Sequence, residues 1–283
     1  MTKKIQQTEK VWFVTGASKG LGADLIQRLL SEGYRVAATS RKKQALIHLV
    51  GEQENFLPLT MDVTSNEEVR RAVKEVIERF GRIDVVVNNA GYSQIGAIEE
   101  LTAEEVQQNF DVNVFGPLNV IRNVAPYLRD QRSGHIINIA SIGGFVGDFP
   151  GFGIYCSTKF AMAGYTEALA VEMEPFGIHT TLVYPGYFRT NFLDKDSAMV
   201  PAHPIEAYAN ARAGEALHLN EINGNQPNDP KKAATVFIEL SKQERPPVHF
   251  FMGVGASEFV KNKIEVIEKA LLDHLELGES TGI

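Results

Sequence analysis

Tyr155 and Lys159 are the first residues whose types and spacing suggest chemistry. Four positions apart on a helix, they share one face. A free tyrosine has a pKa near 10, too high for an acid or base at neutral pH, and a neighbouring ammonium favours the phenolate. General acid–base catalysis requires tuning of this kind. Ser141 follows the predicted strand His135–Ile139. In a doubly wound sheet, residues just past the carboxyl ends of strands line the ligand crevice, so a hydroxyl there can hold a substrate oxygen. Taken singly these signals are common: Tyr-x-x-x-Lys arises by chance, and most serines after strands are caps or turns. Their order and joint occurrence are more specific.

A glycine-rich turn runs from Thr15 through Gly16, Ala17, Ser18, Lys19, Gly20 and Leu21 to Gly22. It lies between a predicted strand and a predicted helix. Glycines there let the backbone approach a pyrophosphate, and the helix start offers free N–H groups. The spacing is Gly-x-x-x-Gly-x-Gly and not that of a Walker A loop. A site for NAD usually has an acidic residue at the end of the second strand. Here that strand runs into Ser40 and Arg41, with no carboxylate. Arg41 can pair with a 2′-phosphate through its planar fork, and Lys19 adds a second cation, so NADP(H) is the expected cofactor.

The elements that must position these groups alternate along the chain. Val11–Val14, Arg35–Ala38, Phe56–Met61, Ile83–Val87, His135–Ile139, His179–Tyr184 and Val248–Met252 read as strands. Helices are expected at Leu21–Leu30, Glu67–Phe80, Glu104–Leu128 (with a kink or break at Pro117), Tyr155–Met173, near Ile205–Leu219, at Pro230–Ser241 and at Ser257–Leu277. Alternation of this kind gives an α/β fold, a doubly wound parallel sheet of Rossmann type. We read residues 1–283 as a single domain, with 191–229 as a substrate-binding lid inserted in its C-terminal part. The alternative is a separate subdomain after residue 190.

The chain has 283 residues, 44% of them apolar, and a net charge of −7. It has no long basic block, which argues against nucleic-acid binding. No run approaches the roughly 18 apolar residues of a membrane span, and the start lacks a secretory signal. A single cysteine, Cys156, fits a reducing, cytoplasmic location. The seven histidines show no metal-ligand spacing, so no metal is expected.

With these motifs in place, the sequence resembles the classical short-chain dehydrogenase/reductase family. The resemblance rests on Thr15 to Gly22, Asp62-Val63, Asn88-Asn89-Ala90-Gly91, Asn113, Ser141, Tyr155-Cys156-Ser157-Thr158-Lys159, and Pro185-Gly186 with Thr190. It implies that Tyr155 exchanges a proton with the substrate oxygen while hydride passes to or from the nicotinamide. Lys159 would lower the tyrosine pKa and hold the ribose, Ser141 would position the carbonyl, and Asn113 would support a water. Asp62 and Val63 would contact the adenine, and Asn89, Ala90 and Gly91 would border its ribose. Pro185, Gly186, Phe188 and Thr190 would orient the nicotinamide. Asp62 as a helix cap, and Asn88, Asn89 and Asn113 as structural polar residues, remain open readings. The long C-terminal part, with Pro246-Pro247, resembles the hydroxysteroid and retinol dehydrogenase-like branch. The family likeness also implies a homo-oligomer, a dimer or tetramer, through the helices Glu104–Leu128 and Tyr155–Met173.

Phe145, Phe149, Phe152, Phe192, Leu193 and Met199 flank the catalytic residues in sequence. They suggest an apolar pocket for a small ketone or aldehyde and its alcohol. Two rival functions are a non-catalytic NADP(H)-binding sensor and a sugar-nucleotide epimerase or dehydratase. A sensor is expected to lose Tyr155 or Lys159, and this chain keeps both. The glycine spacing and the short C-terminal region speak against the epimerase.

Overall fold

The computed structural model describes residues 7–283; the apolar-poor start at residues 1–6 lies outside the described residues. Seven parallel strands form the main sheet. In chain order the elements are β1 (Val11–Val14), α1 (Gly20–Ser31), β2 (Arg35–Ser40), α2 (Lys43–Val50), β3 (Phe56–Thr60), α3 (Asn66–Phe80), β4 (Val85–Asn88) and β5 (Ser93–Gln94). They continue with α4 (Ala103–Phe110), α5 (Gly116–Gln131), β6 (Gly134–Ile139), α6 (Gly153–Met173), β7 (Ile178–Pro185) and β8 (Ala198–Met199). The chain closes with α7 (Ala209–Ala216), α8 (Pro230–Lys242), β9 (His249–Met252), α9 (Ala256–Asp273) and α10 (Leu275–Glu279).

The strand order is β3-β2-β1-β4-β6-β7-β9. Successive crossovers therefore wind in opposite directions on either side of the β1–β4 boundary, leaving a crevice at the carboxyl ends of those strands. Strands covered on both faces must be apolar on both, and β1 meets this with Val11, Trp12, Phe13 and Val14 all fully buried. Trp12 and Val14 face a layer containing Leu25, Leu29 and Phe237, contributed by α1 and α8. Val11 and Phe13 face Val73, Val76, Val120 and Val124, from α3 and α5. Because β9 pairs with β7, the C-terminal part completes this sheet and is not a separate subdomain.

The helices refine the sequence reading at two points. The helix expected over Glu104–Leu128 is α4 and α5 joined by a π turn at Asp111–Phe115. Pro117 has no N–H to return to the Asn113 carbonyl, its α-helical partner, and the ladder loosens just before the proline. Helix α2 was not anticipated; only Leu46 in it is buried, so it carries little amphipathic signal.

The insertion 191–229 is held down at several points. Strand β8 pairs with β5 as a separate two-stranded sheet. Glu100, its side chain 0% exposed, accepts from Ile205 N at 2.7 Å, from Ala97 N at 2.6 Å and from Arg212 at 2.6 Å. Burial alone would raise the carboxyl pKa; the two backbone N–H groups and Arg212 outweigh it and hold it below the ordinary value. A carboxyl with a depressed folded pKa stabilises above its unfolded pKa and loses that contribution as pH falls through the folded one. Protection of amides 198–222 against hydrogen exchange is therefore expected to stay level from pH 7 to about 5 and then to fall. Glu100→Gln is expected to lower that protection about tenfold or more at pH 7 and to abolish the acid step. An acid step that persists in the variant would place its origin elsewhere.

Candidate active site

A cavity of ≈ 730 Å³ opens at the carboxyl ends of the central strands and runs from the glycine turn to Tyr155. At one end the turn after β1 is clasped to β4. Asn89 Nδ2 donates to the Thr15 and Gly16 carbonyls, both at 3.0 Å, and Thr15 Oγ1 accepts from Asn89 N at 3.1 Å and Ala90 N at 3.2 Å. Gly16 sits at φ +63, and a Cβ there would lie 2.7 Å from Ala90 Cα, so the close crossing excludes a side chain. Gly22 does not line the cavity. Its place is one of tight packing, since a Cβ would meet Asn89 Nδ2 at 2.5 Å.

Helix α1 starts at Gly20, and Lys19 before it gives no side-chain cap, as at several other helices of the described residues. Its first-turn N–H groups stand at the cavity beside Gly16, Ser18, Lys19, Gly20 and Leu21. This fits a diphosphate. Ser40, Arg41, Asp62, Val63, Asn89, Ala90 and Gly91 continue the wall, and Pro185, Gly186, Phe188 and Thr190 face it from β7 onward. Asp62 also accepts from Thr64 N at 2.9 Å and Thr64 Oγ1 at 2.8 Å, so it shapes the entry to α3 as well. The Lys19 ammonium is turned toward the insertion and donates to the Asp196 carbonyl at 3.3 Å.

At the other end lie Ser141, Tyr155 and Lys159. Ser141 opens the 3-10 turn after β6 and its hydroxyl accepts from Gly143 N at 3.1 Å. Tyr155 is 7% exposed. Burial pushes its phenol pKa well above the ordinary value, and a hydrogen bond with Ser141 works in the opposite direction. The Lys159 side chain reaches the same end of the cavity. The ammonium lies 5.8 Å from the ring centroid, on the ring face, and donates to the Ile139 carbonyl at 3.0 Å. Burial brings the Lys159 pKa down to about 8.

Asn113 is fully buried in the π turn and does not line the cavity. Its Oδ1 accepts from Tyr92 N at 3.1 Å, and its Nδ2 donates to Tyr92 O at 2.9 Å and to Thr158 Oγ1 at 3.2 Å. It thus links the loop after β4 to the helix that carries Tyr155 and Lys159.

Of the aromatic candidates, Phe149, Phe152, Phe192 and Met199 line the cavity together with Leu193. Phe145 does not: the short 3-10 turn Ile142–Gly144 carries it behind β7, against Tyr184 and Phe251. The sequence reading missed Tyr187, His218 and Gln226, which also line the cavity. Tyr187 was within reach of that reading, since it directly follows Pro185-Gly186. His218 was not, because a second π turn at Leu217–Ile222 sets its direction. Cys156, expected only to pack, is buried yet borders the cavity, and burial pushes its thiol up to about 12.

Residues 10–200 match the family described as short chain dehydrogenase. The chain belongs to that family. It is 37% identical over 262 residues to oxidoreductase BOA17 of Botryotinia fuckeliana, covering 91% of this chain and 94% of that one. It is 39% identical over 246 residues to a 3-ketodihydrosphingosine reductase of Bacteroides thetaiotaomicron, covering 86% and 88%. A short-chain dehydrogenase structure from Streptomyces avermitilis superposes with a TM-score of 0.88 at 35% identity, covering 96% of this chain and 99% of that one. Solved structures of the same fold hold NAD in one case and NADP in another. The protein is an oxidoreductase of this family, and no helix of the described residues is long and apolar enough to cross a membrane.

Lys159, 4% exposed, offers a thermodynamic test. Its folded pKa of about 8 lies below the ordinary lysine value of 10.5, so between the two the unfolded chain holds more protons. Stability therefore rises with pH in that window, by up to roughly 3 kcal/mol. Urea unfolding at pH 7, 9 and 10 is expected to show the wild type gaining on Lys159→Met as pH rises. Parallel pH profiles would mean that the buried ammonium carries no such strain.

Proposed function

We propose that this protein is an NADP(H)-dependent oxidoreductase that interconverts an apolar ketone or aldehyde and its alcohol, with Tyr155 as acid/base. The observation that carries the proposal is the continuity of one cavity between the uncapped start of α1 and Ser141 with the buried Tyr155 and Lys159. When bound, NADPH supplies the hydride and NADP⁺ accepts it. The protein's own residues do the rest. The turn Gly16–Gly22 and the α1 start hold the diphosphate, and Asp62, Val63 and Asn89–Gly91 border the adenosine. Pro185, Gly186, Phe188 and Thr190 hold the nicotinamide end. A phenol kept protonated by burial is in the state that carbonyl reduction requires of a proton donor. Ser141 fixes the substrate oxygen beside it, and Lys159 supports the ribose and the proton path.

Arg41 supports the choice of NADP(H): it is exposed on the cavity rim directly after β2, where a carboxylate would be needed to favour NAD. The apolar substrate is supported by Phe149, Phe152, Phe192 and Met199. That the Bacteroides relative is a reductase named for a keto compound agrees with carbonyl chemistry. The insertion 191–229 acts as a lid that excludes water. The reading also includes a cytoplasmic location, the hydroxysteroid and retinol dehydrogenase-like branch, and a homo-oligomer, a dimer or tetramer, through α4, α5 and α6. Phe160 and Val171, both on α6, are exposed apolar side chains of the kind such an interface covers.

The test is NADPH and NADH consumption against aliphatic, aromatic and steroidal ketones. The wild type is expected to favour NADPH, and Arg41→Asp to weaken NADPH binding far more than NADH binding, by about tenfold or more. Equal loss with both cofactors would remove Arg41 as the phosphate reader.

A further inference from the structure

The catalytic end of the cavity offers hydrogen-bond donors to the substrate; a second polar point in its wall offers the opposite. His218 Nδ1 lies 2.8 Å from the Gly214 carbonyl. A carbonyl oxygen only accepts, so Nδ1 carries the ring proton and, in the neutral imidazole, Nε2 is an acceptor. His218 is 8% exposed, and burial lowers its pKa, which keeps the ring neutral at pH 7. Tyr187 Oη lies 2.9 Å from that Nε2. The phenol proton is therefore committed to the imidazole, and the oxygen has only lone pairs left to offer. Phe152 packs on the His218 ring with centroids 4.3 Å apart, fixing the imidazole from the substrate side. Gln226 lines the same cavity, is 2% exposed, and its Oε1 has no hydrogen-bond partner among the described residues. A buried acceptor without a donor costs free energy that a ligand's donor recovers.

We infer that Tyr187, set by His218, is a recognition point for a hydroxyl group on the substrate, so that the natural ligand is an apolar carbonyl compound bearing a second, hydrogen-bond-donating function. This rests on the reading of the cavity as a carbonyl site and names its substrate class. Ser141 and Tyr155 take the oxygen that reacts, Phe149, Phe192 and Leu193 cover the apolar body, and Tyr187 takes the distant hydroxyl. A neutral donor fits better than a charged one, because the wall around the pair is aromatic and desolvates its ligand. A group that only accepts, such as an ether oxygen, would meet the lone pairs of Tyr187 and be rejected.

The experiment compares benzylacetone with its meta- and para-hydroxy and meta- and para-methoxy derivatives, using the cofactor-loaded enzyme. In the wild type, kcat/KM for at least one hydroxy ketone should exceed that of its methoxy counterpart about tenfold or more. His218→Phe preserves the packing on Phe152 and releases the Tyr187 proton, so the ratio should fall to about one as the methoxy ketone gains a donor. Tyr187→Phe removes the accepting oxygen and should likewise bring the ratio to about one. A wild-type ratio near one for both isomers, or a ratio that His218→Phe leaves unmoved, would overturn the inference. The same compounds titrated calorimetrically into the cofactor-loaded Tyr155→Phe protein read this point without turnover. A hydroxy preference in binding, with no oxidation of NADPH by any of the ketones, would uphold the hydroxyl point while refuting the proposed reaction; no preference in either measurement would refute the hydroxyl point.

Discussion

The clasp between the ends of β1 and β4 is the contact on which the site depends. Parallel strands that wind away from each other leave a crevice at their carboxyl ends, but a crevice alone does not hold its loops in place. Asn89 and Thr15 do so, with Asn89 Nδ2 bridging two carbonyls and Thr15 Oγ1 receiving two N–H groups across the gap. Gly16 and Gly22 are the positions where that clasp leaves no room for a Cβ. The result is a helix start whose N–H groups are free because no side chain caps them.

From that clasp the loop after β4 leads to Tyr92, and Asn113 ties Tyr92 to Thr158 beside Tyr155 and Lys159. The π turn that carries Asn113 is thus part of one polar connection from the glycine turn to α6. The same loop contributes β5, which pairs with β8 of the insertion. The glycine turn, the Tyr155 end of the cavity and strand β8 are therefore joined through a few residues after β4. Stability is given up within this arrangement: Lys159 is buried as an ammonium with the Ile139 carbonyl as partner, and Tyr155 is buried as a phenol. Functional sites commonly retain such groups at a cost to stability.

The sheet was legible because its strands are short, apolar on both faces and separated by helices with a clear buried stripe. Ser141, Tyr155 and Lys159 were legible because their placement depends on local spacing along β6 and α6. What escaped depends on contacts remote in sequence. Strands β5 and β8 are two residues each and exist only by pairing with one another. Phe145 was assigned to the pocket from its nearness to Ser141, yet one 3-10 turn reverses its direction. Asn113 lies behind the cavity wall, in a π turn that its spacing in the sequence does not reveal. Tyr187 and His218 meet across 31 positions, and no spacing rule joins them.

The central claim is that hydride reaches a carbonyl carbon while Tyr155 gives the proton. The most direct measurement supplies a reducible ketone with NADPH deuterated on one or the other face of its nicotinamide, and analyses the alcohol by mass spectrometry. The account requires one deuterium on the carbinol carbon from one labelled face only, with product formation nearly abolished in Tyr155→Phe. Alcohol formed without label, label from both faces alike, or undiminished product in Tyr155→Phe would contradict it.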